Sequence, residues 1–172
     1  MSIKRVILIG KAASGKDYIR KIMESNGFTY CVSHTSRPKR EGEIEGQDYY
    51  FISDDIDKSK FYEYVYFNNW FYGTSIEEFN KSNLFIMTPS GVSKLKNEDR
   101  LESYIVLIDI DDEIRRERLS IRNDSDSVER RLSADEKGFE FFFDFDNSID
   151  DPEFKCDAVW CKPDFLNRKF LI

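Results

Sequence analysis

A short loop between Gly10 and Gly15, followed at once by Lys16, most constrains how this chain can fold. A mostly apolar segment with the length of a buried strand (residues 3–9) precedes the loop, and a segment predicted to be helical (residues 18–24) follows it. Backbone amides in such a loop, together with the N-terminus of the helix, can surround phosphate oxygens. The order of strand, glycine-flanked loop and helix therefore predicts a phosphate-binding P-loop.

The predicted P-loop supplies the residues that we expect to bind ATP. Lys16 adds a mobile positive charge for the outer phosphates. Asp17 takes the place of the Ser or Thr whose hydroxyl commonly ligates magnesium, and a carboxylate also suits this hard cation, so Asp17 is the candidate Mg²⁺ ligand. Alternatively, Asp17 is a first-turn acidic residue that faces the helix dipole. The expected ATP-binding residues are Gly10, Lys11, Ala12, Ala13, Ser14, Gly15, Lys16 and Asp17.

The composition indicates one globular domain and limits its partners. The 172 residues are 40% hydrophobic and 34% charged, which allows a sizeable core. No apolar run approaches the roughly 18–20 residues of a membrane span, and the formal net charge of −7 argues against nucleic-acid binding. Cys31, Cys156 and Cys161 lack a zinc-binding spacing, which indicates reduced thiols and a cytoplasmic protein.

The alternation of strand and helix signals predicts an α/β fold. It predicts a P-loop three-layer α/β/α arrangement, in which a central parallel sheet carries helices on both faces. A β-rich segment (33–82) interrupts the alternation, and Asn68 and Asn69 indicate a hairpin turn within it, whereas 34–46 is predicted to be loop. Strands are expected at 28–33, 47–52, 61–67, 70–72, 84–87, 103–110 and 157–161, the last being preferred to 144–147. Helices are expected at 75–80, 89–96, 113–122 and 128–142.

Three further segments resemble guanylate kinases. Residues 33–51, which include Ser-Arg-Pro-Lys-Arg-Glu-Gly and Asp-Tyr-Tyr-Phe, resemble the segment of that family that binds the nucleoside monophosphate. Residues 63–75 resemble the next block, and 118–122 with 129–132 resemble the lid. Together with the P-loop, the resemblance spans residues 3 to about 136, and several ordered motifs at compatible spacing are more specific than any one of them.

A single guanylate kinase-like domain is what this resemblance implies. It divides the chain into a core (1–32, 83–114 and 136–172), a small β-rich GMP-binding insert (33–82) and a helical lid (about 115–135). It also implies that the chain transfers the γ-phosphoryl group of ATP to GMP or dGMP, giving ADP and GDP or dGDP. ATP would be the phosphoryl donor and Mg²⁺ the metal cofactor.

The insert carries side chains suited to a nucleoside monophosphate, whose phosphate is a dianion at neutral pH. Arg37 and Arg40 offer planar, permanently charged forks for its oxygens, and Tyr49 and Tyr72 offer hydroxyl donors. The resemblance implies a phosphate-binding role for all four residues. The alternative is that the arginines are solvated loop charges and the tyrosines pack within strands.

Guanine presents two adjacent donors, the ring N1–H and the exocyclic amine, beside the O6 acceptor. The resemblance implies that the Glu63 carboxylate accepts from both donors, that Thr74 donates to O6, and that Ser33 is a third base contact. Adenine would leave the carboxylate facing a bare ring nitrogen, so a preference of about 10⁴-fold or more is attainable. Alternatively, Glu63 is an exposed strand glutamate.

Arginines of the predicted lid supply further positive charge. Arg118 and Arg122 share a helix face, with Arg115 one turn earlier, and in an ordinary surface helix they would pair with acidic surface residues. The resemblance implies instead that Arg118, Arg122 and Arg131 reach the phosphates when the lid closes. Phosphoryl transfer depends on alignment and positive charge, and the acceptor phosphate needs no general base because it is already an anion. The predicted catalytic residues are Lys16, Arg118, Arg122 and Arg131.

Two positions depart from the family pattern. Thr88 stands where an aspartate is expected after the strand at 84–87, and Asp17 replaces the P-loop hydroxyl. We therefore keep two alternatives: a kinase for another (deoxy)nucleoside monophosphate, and a non-catalytic guanylate kinase-like module that binds a partner protein. The intact Lys16 and the lid arginines argue against the second. Adenine-contacting residues and the oligomeric state are not assigned.

Overall fold

The computed structural model describes residues 3–53, 55–67, 69–121, 127–143 and 158–160. Its strands are β1 (Arg5–Ile9), β2 (His34–Thr35), β3 (Tyr50–Phe51), β4 (Phe61–Phe67), β5 (Trp70–Ser75), β6 (Leu84–Ile86), β7 (Ser103–Ile108) and β8 (Ala158–Trp160). Its α-helices are α1 (Lys16–Ser25), α2 (Ile76–Lys81), α3 (Pro89–Val92), α4 (Asn97–Leu101), α5 (Asp112–Ile121) and α6 (Val128–Phe143), and a 3₁₀ turn covers Lys58–Lys60. No helix among these residues is long and apolar enough to cross a membrane.

A parallel sheet in the order β6-β1-β7-β8 forms the centre of the fold. Successive side chains of β1 alternate between its two faces. Ile7 and Ile9 pack in a cluster with Phe79 of α2 and Phe139 of α6, whereas Val6 and Leu8 pack in another cluster that α1 covers. Because helices cover both faces, the predicted three-layer α/β/α fold is confirmed.

A second, smaller sheet has the order β3-β2-β5-β4. Strands β4 and β5 form an antiparallel hairpin, as predicted, and Asn69 in its turn has a left-handed φ of 63°. The pairing places Glu63 opposite Thr74 and Val65 opposite Tyr72, after a register shift between Phe61 and Glu63. The small sheet thus aligns several of the predicted acceptor contacts on neighbouring strands.

The segment before β2 differs from the prediction. The expected strand at 28–33 is reduced to a single bridge between Tyr30 and Leu84, and β2 forms at 34–35, inside the segment predicted to be loop. Cys31 N–H still donates to the Leu84 carbonyl, but Val32 N–H donates to the carboxylate of Glu78 instead of a strand neighbour. The Glu78 carboxylate therefore ends the pairing of this segment with β6, and the chain continues into β2 of the small sheet.

The helices after β6 are shorter than expected. Pro89 opens α3, as predicted, but the helix ends at Val92 because the following turns close through i+3 bonds, with Leu95 N–H donating to the Val92 carbonyl. Helix α4 then begins at 97, where no helix was predicted. Strand β8 lies within the preferred candidate for the last strand (157–161), and the other candidate, 144–147, lies outside the described residues.

Candidate active site

A cleft of about 280 Å³ opens where the P-loop, the small sheet and α6 meet. The P-loop follows the carboxyl end of β1, which is where ligands bind in parallel α/β sheets. From the P-loop and α1 the lining includes Ala12, Ala13, Gly15, Lys16, Asp17 and Tyr18. From the small-sheet region it includes Arg37, Arg40, Tyr49, Phe67, Trp70 and Tyr72. Ile86, Arg130, Arg131 and Asp135 complete it.

The backbone of the P-loop is tightly confined. A Cβ atom at Gly10 would lie 2.6 Å from the Ile108 carbonyl oxygen, so the loop can follow this path only with glycine at that position. Gly15 has a φ of 104°, in the left-handed region that favours glycine. Ala13 also has a left-handed φ, 59°, although its Cβ makes this conformation unfavourable. Contacts from outside the loop must therefore support it.

Lys16 and Asp17 lie side by side at the start of α1. The Lys16 ammonium donates to the carbonyls of Gly10 (2.7 Å) and Lys11 (2.9 Å), so it lies folded across the loop. Asp17 is in the first helical turn with its side chain 72% exposed, and its Oδ1 lies 3.7 Å from Arg20 Nε. Both interpretations of Asp17, dipole partner and metal ligand, are compatible with this position.

Arg37 is held in place by neighbours from its own segment. Its guanidinium donates to Glu43 Oε1 (2.6 Å) and to the Pro38 carbonyl (2.6 Å), and it lies 5.3 Å from the centre of the Tyr49 ring. Glu43 Oε2 accepts from the Arg40 amide at 2.7 Å. Burial alone would raise the pKa of Glu43, but these hydrogen bonds outweigh it and the pKa lies below its usual value. The Arg37 fork is thus preorganised by an ionised carboxylate.

The two predicted tyrosines stand on the same wall as the arginines. Their rings meet edge to face, with centroids 6.1 Å apart. Burial, reinforced by Tyr72, raises the pKa of Tyr49, so its phenol keeps its proton and can donate to an anion. The structure therefore brings together all four residues predicted to bind the acceptor phosphate: Arg37, Arg40, Tyr49 and Tyr72.

The predicted base contacts form a separate group, with Glu63 on β4 and Thr74 on β5. Thr74 Oγ1 donates to Glu63 Oε1 at 2.8 Å, and both residues are buried, so Glu63 is not an exposed strand glutamate. Burial raises the pKa of Glu63, against the opposing effect of the Thr74 hydroxyl and Lys94. Ser33 directly precedes β2, and because His34 pairs with Gly73, the antiparallel register places Ser33 opposite Thr74.

The base contacts connect to the phosphate contacts through β5. Thr74 and Tyr72 are two residues apart, so they share one face of the strand at a spacing of about 7 Å. Thr88, which occupies the position where an aspartate was expected, caps α3 by accepting from the Gly91 amide. A Cβ atom added to Gly91 would lie 3.4 Å from Thr88 Oγ1 and 3.3 Å from Glu63 Oε2. The Thr88 hydroxyl and the Glu63 carboxylate therefore both lie next to Gly91.

The predicted lid arginines are placed at the P-loop side of the cleft. Arg118 donates to the Ala13 carbonyl at 3.0 Å, and Arg131 is buried and lines the cleft. Arg122 lies outside the described residues. Arg130, which was not among the predicted site residues, lines the cleft beside Arg131.

Arg115 and Asp135 are contacts that the sequence did not identify. Arg115 is fully buried: its Nε donates to the Ala12 carbonyl at 3.0 Å, Nη1 donates to Asp112, and Nη2 donates to Asp135 Oδ2. The same Asp135 oxygen accepts from the Ala12 amide at 2.9 Å. Arg115 is therefore not a surface helix arginine. Asp135 could have been noticed, because it follows Arg131 by four residues and so shares its helix face.

The P-loop and the small inserted sheet meet at one cleft. The P-loop contributes Lys16 to the lining, and the insert contributes Arg37, Arg40, Tyr49 and Tyr72. Among described residues, no cluster of three or more His, Cys, Asp or Glu side chains could hold a metal ion, so a metalloenzyme site built only of protein ligands is not seen there.

Comparison with known proteins identifies the family. The family model for guanylate kinase matches residues 2–161. The guanylate kinase of Sus scrofa is 30% identical, with 77% of this chain and 75% of that protein aligned, and the guanylate kinase of Homo sapiens is 32% identical, with 75% and 74% aligned. The crystal structure of guanylate kinase from Anaplasma phagocytophilum has the same fold, with a TM-score of 0.62 at 18% identity, covering 97% of this chain and 81% of that one. The chain belongs to the guanylate kinase family, and the family predicted from the sequence is confirmed.

Proposed function

We propose that this chain transfers the γ-phosphoryl group of ATP to GMP or dGMP, giving ADP and GDP or dGDP. The observation that carries the proposal is the cleft itself, which has the P-loop lysine on one side and the Arg37, Arg40, Tyr49 and Tyr72 wall on the other. Glu63 and Thr74, which pair across β4 and β5, lie next to this wall, because Thr74 is two residues from Tyr72 on the same face of β5. Membership of the guanylate kinase family supports the same reaction.

The donor side acts through charge and position. ATP phosphates would lie against the P-loop amides, with Lys16 leaving its carbonyl partners for the outer phosphates. Arg118 and Arg131 already lie at the loop and in the cleft, and with Arg122 they would complete the positive charge around the transferred group. Positioned charge of this kind is the main requirement of phosphoryl transfer, which proceeds through a loose transition state.

The acceptor side holds GMP at two ends. The phosphate would displace Glu43 from part of the Arg37 fork and accept from Arg40, Tyr49 and Tyr72. The base would place its N1–H and exocyclic amine at the Glu63 carboxylate and its O6 near Thr74, with Ser33 as the neighbouring contact. Adenine offers no donor pair for the buried carboxylate, so GMP and dGMP are the expected acceptors and AMP is not.

Asp17 is the residue that would hold Mg²⁺. The donor set fits this ion in part: Mg²⁺ is commonly bound through one or two carboxylates together with substrate phosphates and water. Asp17 lines the cleft beside Lys16, with its carboxylate accessible. Asp135 is the other carboxylate in the cleft, and it is committed to Ala12 and Arg115. When bound, the ion would neutralise part of the triphosphate charge.

The division of the chain is part of the same proposal. We place the GMP-binding insert at 33–82 and the lid at about 115–135, moving against a core made from the remaining residues. Closure would exclude water and limit hydrolysis of ATP. The buried free thiol of Cys31 agrees with a reducing cytoplasmic setting, and nucleotides, not nucleic acid, are the expected partners.

A coupled assay of ADP release with GMP, dGMP, AMP and dTMP tests the reaction. Fast turnover is expected only with the guanine nucleotides, and a Lys16→Ala protein purified in parallel reports contaminating activity. Fast turnover with AMP or dTMP would show that the chain is a kinase for another acceptor. Nucleotide binding without turnover on any acceptor would indicate the non-catalytic module and would refute the proposal.

A further inference from the structure

Arg115 and Asp135 form a closed ring of hydrogen bonds with one P-loop residue. Asp135 Oδ2 accepts from the Ala12 amide and from Arg115 Nη2, and Arg115 Nε donates to the Ala12 carbonyl. Arg115 is 1% exposed and Asp135 is 4% exposed. The partners are 123 and 103 residues from Ala12 along the chain, so the tertiary fold alone creates the ring.

The ring controls the direction of the next amide in the P-loop. The peptide groups are trans, so the Ala12 carbonyl and the Ala13 N–H, which share one peptide plane, point in opposite directions. Because Arg115 holds that carbonyl, the Ala13 N–H points away from Arg115. Arg118 holds the following carbonyl, that of Ala13, at 3.0 Å. Two arginines therefore fix two successive peptide planes of the loop.

The ring also explains the conformation of Ala13. Its left-handed φ of 59° is unfavourable for a residue with a Cβ atom, so the isolated loop would favour other conformations. Holding Ala12 through both its amide and its carbonyl restrains the residue that precedes the unfavourable position. The ring thus supplies the external support that this loop requires.

A buried carboxylate such as Asp135 needs a neighbouring cation, and Arg115 supplies it. A carboxylate in a cleft that accepts a triphosphate repels the ligand unless a cation neutralises it, and Arg115 is the cation in direct contact. Replacement of a buried ion pair by apolar side chains of similar size is often neutral or stabilising. The value of this pair therefore lies in the two Ala12 hydrogen bonds. Asp135 also anchors α6, which carries Arg131 one turn earlier.

We propose that Arg115 and Asp135 are positioning residues for the donor-phosphate site: they hold the Ala12 peptide groups so that the Ala13 amide faces the ATP phosphates, and they tie the helix that carries Arg131 to the P-loop. This inference rests on the proposed function, because it assigns the ATP side of the cleft to the P-loop.

The decisive variant is the double substitution Arg115→Met with Asp135→Leu. It removes the Ala12 contacts without leaving a buried unpaired charge, so the protein is expected to fold, with a thermal midpoint lowered only by the loss of the two Ala12 hydrogen bonds. We expect its ADP affinity, measured by calorimetry without acceptor, to fall about tenfold, and KM for ATP to rise similarly while KM for GMP stays within about twofold. Arg116→Met, on the exposed side of the same helix, is the matched control and should leave all three values unchanged.

If the double variant does not fold, a second variant, Arg115→Lys, tests the same inference. Arg115→Lys retains the charge beside Asp135 but cannot hold Asp135 and the Ala12 carbonyl with one planar fork, so ADP affinity should fall about fivefold in a folded protein. Wild-type ADP affinity in either folded variant would overturn the inference and leave the pair a structural contact only. The ADP affinities are measured without acceptor. If the wild-type protein did not turn over GMP, the proposed function would be refuted, but the comparison of ADP affinities would still test this inference.

Discussion

The proposed acceptor and donor sides of the cleft are organised over different distances along the chain. On the acceptor side, Arg37 is held by Glu43, six residues away, and Glu63 by Thr74, eleven residues away. On the donor side, the P-loop is held by Arg115, Arg118 and Asp135, which are more than a hundred residues from it. The acceptor side is thus a local unit built on one small sheet, whereas the donor side depends on the packing of the whole fold.

This difference has a functional consequence. Substitutions of the site residues in the insert, such as Arg37 and Glu63, should change acceptor recognition and leave donor binding intact, because their hydrogen-bond partners Glu43 and Thr74 lie in the same segment. Substitutions of Arg115, Arg118 or Asp135 should change donor binding although these residues are distant in sequence from the P-loop. The following measurements test this separation.

Lys16→Ala should nearly abolish transfer on the donor side. The ammonium is the mobile charge for the outer phosphates, and its loss should lower kcat by about 10³-fold. The fold should persist, because the hydrogen bonds from Lys16 to the Gly10 and Lys11 carbonyls lie within the loop. Circular dichroism and the coupled assay measure the two outcomes, with Lys21→Ala on α1 as a control. A kcat within tenfold of the wild type would contradict the assignment of Lys16.

Glu63→Gln should damage the acceptor side alone. The amide keeps one acceptor but presents a donor to one of the guanine donors, so kcat/KM for GMP should fall about 10²-fold. ADP affinity should not change, because the nearest partner of Glu63, Thr74, belongs to the insert. Glu77→Gln, on the exposed start of α2, serves as control. An unaltered preference for guanine would show that another residue recognises the base.

GMP affinity should also depend on pH through the same carboxylate. Burial raises the pKa of Glu63 above its ordinary value of 4.5, and only the ionised form accepts from both guanine donors. As pH falls from 7 through this raised pKa, GMP affinity should decrease by up to about tenfold per pH unit below it. Calorimetry at several pH values measures the decrease. The part that persists in Glu63→Gln belongs to the nucleotide phosphate, and a wild-type curve identical to that of the variant would refute the explanation.

Ala13→Gly should have the smallest effect and should concern stability. Glycine removes the unfavourable left-handed conformation but adds entropy to the unfolded chain, so the free energy of unfolding should rise by about 0.5 kcal/mol. Gly15→Ala, at a φ of 104°, should lower it instead. Urea denaturation of both variants provides the comparison, and a clear loss of stability in Ala13→Gly would mean that residue 13 is not left-handed in solution.

Much of the acceptor side could be predicted from the sequence, since its partners are close together in the chain. The β4–β5 hairpin and the Ser75 cap of α2 follow from short patterns of alternation, turn residues and capping residues. Strand β2 could not be predicted, because its two residues form a strand only where Glu78 ends the preceding ladder and β5 offers an edge. A local sequence pattern cannot show that the edge of β5 is available for pairing with residues 34–35.

The amino-acid sequence alone predicted the P-loop and the parallel α/β core, because both are encoded in local patterns of loop, strand and helix residues, and it predicted the acceptor motifs through their resemblance to guanylate kinases. The tertiary structure alone decided that Arg115 is buried and that Asp135 contacts the P-loop. An arginine in a charged helix has the pattern of a surface residue, and its burial becomes favourable only when a distant carboxylate and a distant carbonyl converge on it in the folded chain.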